Sequence, residues 1–429
     1  MDWVELEVVL AKLTRLTKKQ KGCILNSYKL RLNFMNKLAI YGGKPISSKQ
    51  LFKKSPFGTE EFIAVKNVFK KGILSRAGRG HYVKLFESKF AKKFGAKYAV
   101  STTSGTTALH TALCAVGINK GDEVLVPALT FISSASVIMQ CNATPIFVDA
   151  DQDTFCIDIN DLKKKVTSKT KAIIIVHIYG YPIDLTKLLK FAKKRNLKII
   201  EDCAQAHGAK YKGKPVGTLG DIGCFSFYQT KNMACGEGGM VITNNNDYYQ
   251  KSCSIIDHGI VDGNLLGYNY DRVGYNYHMT EMQAAIGLEQ LKKLNEINRK
   301  RNKNANLYRK LLKDTELTFQ ETAEGNNVHG YYVLTALLPD DYRNDRDWFV
   351  DAVRIENVEI NKIYPVSLNN TLVFTKNRTR VTCKNAEAIT QRLFNFYTNP
   401  GISKEYIHKT CEAVIKVLKY LDKKYENKD

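Results

Sequence analysis

Apolar positions along the chain change their period repeatedly, and each change marks an element. Val83, Phe86, Phe90 and Phe94 recur at intervals of three and four, which predicts the buried face of a helix. Short apolar runs predict strands over 98–100, 123–126 (ended by Pro127), 146–148, 197–200 and 240–243. Residues 172–176 are apolar throughout and mostly β-branched, the pattern of a strand buried on both faces. Between these runs, 107–116 reads as a helix, and Leu185, Leu188, Leu189 and Ala192 mark another. Strands spaced by helices predict an α/β fold: a mostly parallel sheet with helices on both faces. In such sheets ligands sit beyond the carboxyl ends of the strands.

The flanks follow other patterns. Residues 289–312 form a charged helical stretch with the character of a connector. Beyond it, 327–429 holds shorter strands and a terminal helix. That helix is striped by Ile407, Cys411, Val414, Leu418 and Leu421, with Ser403 as its N-cap. The expected division is an N-terminal extension over 1–34, a large domain over 35–288, a connector over 289–326 and a smaller α+β domain over 327–429. In the extension, Trp3, Leu6, Leu10 and Leu13 have helical spacing and Lys18, Lys19 and Lys21 follow. That pattern fits a basic amphipathic helix at a membrane surface or partner, or a segment appended to a core that opens near Met35.

Composition narrows the class. The chain has 429 residues, 44% hydrophobic and 25% charged, which excludes global disorder. Its longest apolar runs fall short of the ~18 residues of a membrane span. The net charge is +23, but the lysines are dispersed and no nucleic-acid-binding module is present. Ten cysteines at irregular spacing, without a CxxC pair, fit a reduced cytoplasmic protein, and no metal site is expected.

Four segments carry candidate chemistry. Ser104-Gly105-Thr106-Thr107 lies between a strand and a helix, where free N–H groups and the helix dipole suit a phosphate; Ser104 or Thr106 would equally serve as an ordinary cap. Asp202, in the run from Glu201 to Gly208, follows the strand over 197–200. A carboxylate there could hold a cationic ring nitrogen, with Gln205 nearby, or could simply cap a loop. Lys231 follows an apolar approach and precedes Gly236-Glu237-Gly238-Gly239, the setting of a Schiff-base lysine, or is one of the chain's many solvated surface lysines. Tyr275-Asn276-Tyr277 precedes a helix and alone is only a turn.

Taken in this order, the segments resemble the DegT/DnrJ/StrS family of sugar aminotransferases. The resemblance runs from Leu38 to about residue 300 and continues more weakly through Asn385-Ala386-Glu387 and Thr398-Asn399-Pro400. It implies the fold of type I pyridoxal 5′-phosphate (PLP) enzymes, like aspartate aminotransferase. It also implies roles. Lys231 would carry PLP as a Schiff base and then move the proton. Asp202 would pair with the pyridinium nitrogen, Gln205 would approach the ring 3′-oxygen and Phe131 would stack on the ring. Gly105, Thr106, Thr107 and Ser226 would hold the phosphate, and Asn276 would reach the phosphate bound by a partner subunit, which implies a homodimer. The implied reaction moves an amino group from glutamate or glutamine to a nucleotide-linked 4-keto- or 3-keto-6-deoxyhexose. A keto-cyclitol acceptor and a non-catalytic PLP-binding regulator are the alternatives. A sugar 3-dehydratase would carry His in place of Lys231. Cys203 and Cys235 stand where the family more often has other small residues such as Ala or Thr.

Overall fold

The computed structural model describes residues 38–48, 57–75, 80–261, 269–376 and 381–426. The extension over 1–34 lies outside them. The chain gathers into two compact units, the larger within 57–346 and 361–404, the smaller from described residues of 38–48, 347–360 and 405–426.

The larger unit is built on the strands β1 (Tyr98–Thr102), β2 (Glu123–Pro127), β3 (Thr144–Val148), β4 (Thr170–Val176), β5 (Lys198–Asp202), β6 (Lys210–Tyr211), β7 (Lys214–Pro215), β8 (Ile222–Ser226) and β9 (Gly239–Thr243). Apart from the β6–β7 hairpin they form one sheet, ordered β1-β9-β8-β5-β4-β2-β3. β8, β5, β4, β2 and β3 run parallel, and β9 runs antiparallel to both β1 and β8. Thr102, Pro127, Asp202 and Ser226 therefore all emerge at one edge, where β9 begins at Gly239. A smaller antiparallel sheet contains Thr318–Phe319, Val333–Leu337 and Leu393–Tyr397. This is the mostly parallel sheet with a smaller C-terminal part that the apolar pattern predicts.

β8 escaped the pattern because Ile-Gly-Cys-Phe-Ser lacks a β-branched run. The glycine is forced by packing: a Cβ on Gly223 would lie 2.3 Å from the Gly217 carbonyl oxygen. Phe225 on β8 then meets Phe90 and Phe94 at ring-centroid distances of 5.1 and 4.9 Å. Burial of each such ring stabilises by roughly 2–3 kcal/mol. The predicted apolar face of Val83, Phe86, Phe90 and Phe94 is fully buried on the helix Tyr82–Phe94. Glu281, itself buried, accepts the backbone N–H groups of His81, Tyr82 and Val83 at 2.9, 2.7 and 3.0 Å, satisfying donors that a helix start leaves open.

Capping boxes set the starts of two helices, the first of them earlier than expected. The first runs Gly105–Val116, because Ser104 and Thr107 form a reciprocal capping box. The helix expected after Tyr275-Asn276-Tyr277 begins at Glu281, where Thr280 and Gln283 form another capping box, and runs unbroken to Leu311, so the charged stretch from 289 is its continuation. The terminal helix Lys404–Glu426 begins directly after Ser403, and its predicted stripe is buried.

The smaller unit is organised by Glu356, which is fully buried. It accepts the N–H groups of Ala39 and Ile46, both at 3.0 Å, and the Lys416 ammonium at 2.8 Å. Beside it Trp348 packs against Tyr41 and Tyr420 at 6.5 and 5.3 Å.

Candidate active site

At the edge of the sheet where the parallel strands end lies a cavity of about 470 Å³. Gly105, Thr106, Phe131, Asp202, Gln205, Ser226 and Lys231 all line it. Thr107 and Asn276 do not. The Thr107 N–H is spent on the Ser104 hydroxyl at 3.1 Å, and Asn276 is an exposed residue bridged to Asp257.

One wall is the start of the helix Gly105–Val116. Its first N–H groups have no intrahelical acceptor. Since Ser104 takes that of Thr107, those of Gly105 and Thr106 are left to the cavity. Ser226 is pressed against this end: a Cβ on Gly105 would fall 2.6 Å from the Ser226 Cβ, so only glycine lets the strand-end hydroxyl come so close. The Thr106 hydroxyl pairs with Ser133 at 2.8 Å. Donors and a helix dipole converge here on one anion-sized place.

The floor is Asp202. It is buried, and its oxygens accept only the Ala204 N–H at 3.1 Å and the Ser134 hydroxyl at 2.8 Å. Ser134 is held in turn by Thr130 at 3.0 Å. Burial pushes the carboxyl above its usual value, while Ala204, Ser134 and the charge of Lys231 pull it back. Such a carboxylate gains from an added cation. Gln205 is fixed by two bonds, accepting from the Tyr179 N–H at 2.7 Å and donating to the Tyr364 hydroxyl at 2.6 Å. Tyr179 needs this support, since its φ of 57° is left-handed backbone.

Lys231 is half-buried, with its Nζ 4.5 Å from the centroid of the Tyr332 ring. Tyr332 bonds to Thr230 at 2.8 Å, and Arg301 donates to its carbonyl at 2.9 Å. Next in sequence, Asn232 donates to the Asn298 side chain and to the Gly330 carbonyl at 3.0 and 2.6 Å. The long helix thus grips both sides of the lysine. Phe131, half exposed at 53%, lies 6.2 Å from the Tyr364 ring across the cavity. Sequence reasoning missed Thr130, Ser133, Ser134, Tyr332 and Tyr364. The first three lie within three residues of Phe131, but small hydroxyl residues near a turn carry no distinctive signal. The two tyrosines reach the cavity from distant segments without a motif.

Residues 57–415 match the model of the DegT/DnrJ/EryC1/StrS aminotransferase family. The chain belongs to that family. It is 37% identical over 339 residues to the GDP-perosamine synthase of Escherichia coli O157:H7, covering 79% of this chain and 90% of the relative. It is 35% identical over 322 residues to an L-glutamine:2-deoxy-scyllo-inosose aminotransferase of Streptoalloteichus tenebrarius, covering 71% and 74%. Among solved structures, the aminotransferase from Psychrobacter cryohalolentis superposes with a TM-score of 0.80 at 32% identity, covering 86% of this chain and 99% of that one. Among the described residues, no helix is long and apolar enough to cross a membrane.

Proposed function

We propose that this family member is a PLP-dependent aminotransferase working on a nucleotide-linked 4-keto- or 3-keto-6-deoxyhexose, with glutamate or glutamine as donor. The observation that carries this reading is the convergence of an under-satisfied carboxylate, a lysine amine and an anion seat on one cavity. The residues fit the cofactor at both ends. The crowded Gly105–Ser226 contact leaves a seat of N–H and hydroxyl donors for its phosphate. Asp202, raised by burial, would be stabilised by a protonated ring nitrogen. When bound, PLP supplies the electron sink for breaking a C–H bond next to nitrogen.

The chain's own residues do the rest. The Gly105 and Thr106 N–H groups and the Ser226 hydroxyl anchor the phosphate. Asp202, oriented by Ser134, keeps the ring nitrogen protonated. Gln205, held by Tyr179 and Tyr364, and Phe131 would hold the ring. Lys231 would hold the cofactor and its amine would move the proton, with Tyr332 keeping that amine in place. Amino donor and keto acceptor use the same cavity in turn, a ping-pong cycle. The nucleotide-sugar acceptor is supported by the likeness to the GDP-perosamine synthase and by a net charge of +23 that attracts diphosphates. A cytoplasmic homodimer, with Asn276 serving the partner subunit's cofactor, and the division at 34, 288 and 326 belong to the same reading.

The test is spectroscopic. Purified protein supplied with PLP should be coloured, and glutamate should shift the band. Acceptors offered next should restore it: 4-keto- and 3-keto-6-deoxyhexoses on GDP, UDP and dTDP, then scyllo-inosose. Restoration by scyllo-inosose alone would favour the cyclitol alternative. Colourless protein after PLP loading would overturn the enzyme.

A further inference from the structure

A second cluster of reactive side chains lies outside the cavity, further along the same helix. His110 and Cys114 are four residues apart on Gly105–Val116 and so share a face. Cys141, directly after the helix Ser133–Gln140, reaches them from a second element. The Cys114 and Cys141 sulfurs are 3.9 Å apart, and Cys114 Sγ lies 3.6 Å from His110 Nε2. All three ligand atoms fall within 4.8 Å of one another. Tetrahedral zinc, with bonds of about 2.3 Å to sulfur and about 2.0 Å to nitrogen, requires S···S near ~3.8 Å and S···N near ~3.5 Å. The other ring nitrogen, His110 Nδ1, faces the Tyr277 hydroxyl at 3.2 Å. Metal-bound histidines generally have an outer partner of this kind, which fixes the ring.

The other candidate group, His177, Glu201 and Cys203, differs. There Glu201 is already saturated by the N–H groups of Gly217, Leu219 and Gly220 and by His177 Nε2, which leaves no lone pair to offer.

We propose that His110, Cys114 and Cys141 form a site for a thiophilic divalent cation of the zinc class, with a fourth ligand from solvent. Binding forms two S–metal bonds and one N–metal bond, and the two thiol protons pass to water. The experiment uses the full-length protein, reduced, stripped with chelator and dialysed against zinc; cobalt serves as the spectroscopic probe. Expected are about one zinc per chain and a thiolate-to-cobalt charge-transfer band, both lost in Cys114→Ser and in Cys141→Ser. Tyr277→Phe should weaken zinc binding about 10- to 100-fold while keeping the band. Should a cysteine variant fail to fold by circular dichroism, His110→Gln serves in its place. Equal zinc retention by wild type and folded variants would overturn the site. So would a cobalt protein without the thiolate band, or a reduced protein that takes up no metal and merely forms a Cys114–Cys141 disulfide with peroxide.

Discussion

Glu201 and Asp202 are neighbours at the end of β5, both carboxylates and both buried, yet they occupy opposite situations. Glu201 accepts three backbone N–H groups at 2.6–2.7 Å and His177 at 3.0 Å. His177 Nδ1 accepts the Ile183 N–H at 3.3 Å, so Nε2 is the nitrogen that donates to Glu201. Asp202 has one donor for each oxygen and opens on the cavity. Strand alternation sends the two side chains to opposite faces. The lesson is that burial alone does not mark a functional acid. A carboxylate whose hydrogen bonds are complete holds a loop together; one left incomplete beside a cavity has capacity for a ligand.

This contrast can be tested by substitution. Lys231→Ala should abolish amino transfer and the glutamate-dependent spectral shift altogether, without a change in folding. On the proposed function, Asp202→Asn should reduce kcat on the order of a hundredfold or more, because the ring nitrogen of the cofactor would lose its counter-charge, while Tm stays near that of wild type. Glu201→Gln should do the reverse. It points an NH2 at backbone donors and should cost about 3 kcal/mol in urea unfolding, with little effect on the kcat of the folded fraction. If both variants lost activity at unchanged stability, the distinction would collapse.

His207 offers a titration of the same segment. Burial first, then the charge of Lys231, pushes it down to about 3. A histidine depressed in the folded state contributes stability that is complete above its unfolded value of 6.5 and is lost as pH falls toward 3. Lowering the pH from 6.5 to 5 should therefore cost about 2 kcal/mol at this site. The urea midpoint of His207→Asn should fall less steeply than that of wild type over this window. The smallest effect belongs to Ser134→Ala, which removes one of the two donors to Asp202. It should lower kcat less than about tenfold and stability by about 1 kcal/mol, and would sharpen the comparison by making Asp202 still less satisfied.

Much of the fold could be read from the chain. β4, with its run of isoleucines, announces its place between β2 and β5. The strand β8 is hidden because Gly223 and Cys224 serve close packing instead of β-propensity. In the site, Asp202 and Lys231 were legible because a strand end and a glycine turn locate them. Tyr332 and Tyr364 were not, since nothing local says that an aromatic residue a hundred positions downstream of Lys231 will return to cover it. The His110, Cys114 and Cys141 cluster was equally hidden. Two of its members share a helical spacing, but the third arrives only through the packing of the next helix.

The smaller unit has a practical consequence. The chain has two tryptophans, Trp3 and Trp348. Trp348 sits in the aromatic cluster with Tyr41 and Tyr420, whereas the proposed cofactor's colour would come from the larger unit. Indole emission from Trp348 and visible absorbance then act as two separate dyes. In a Trp3→Phe protein, following both through one melt would tell whether the two units come apart together or one after the other.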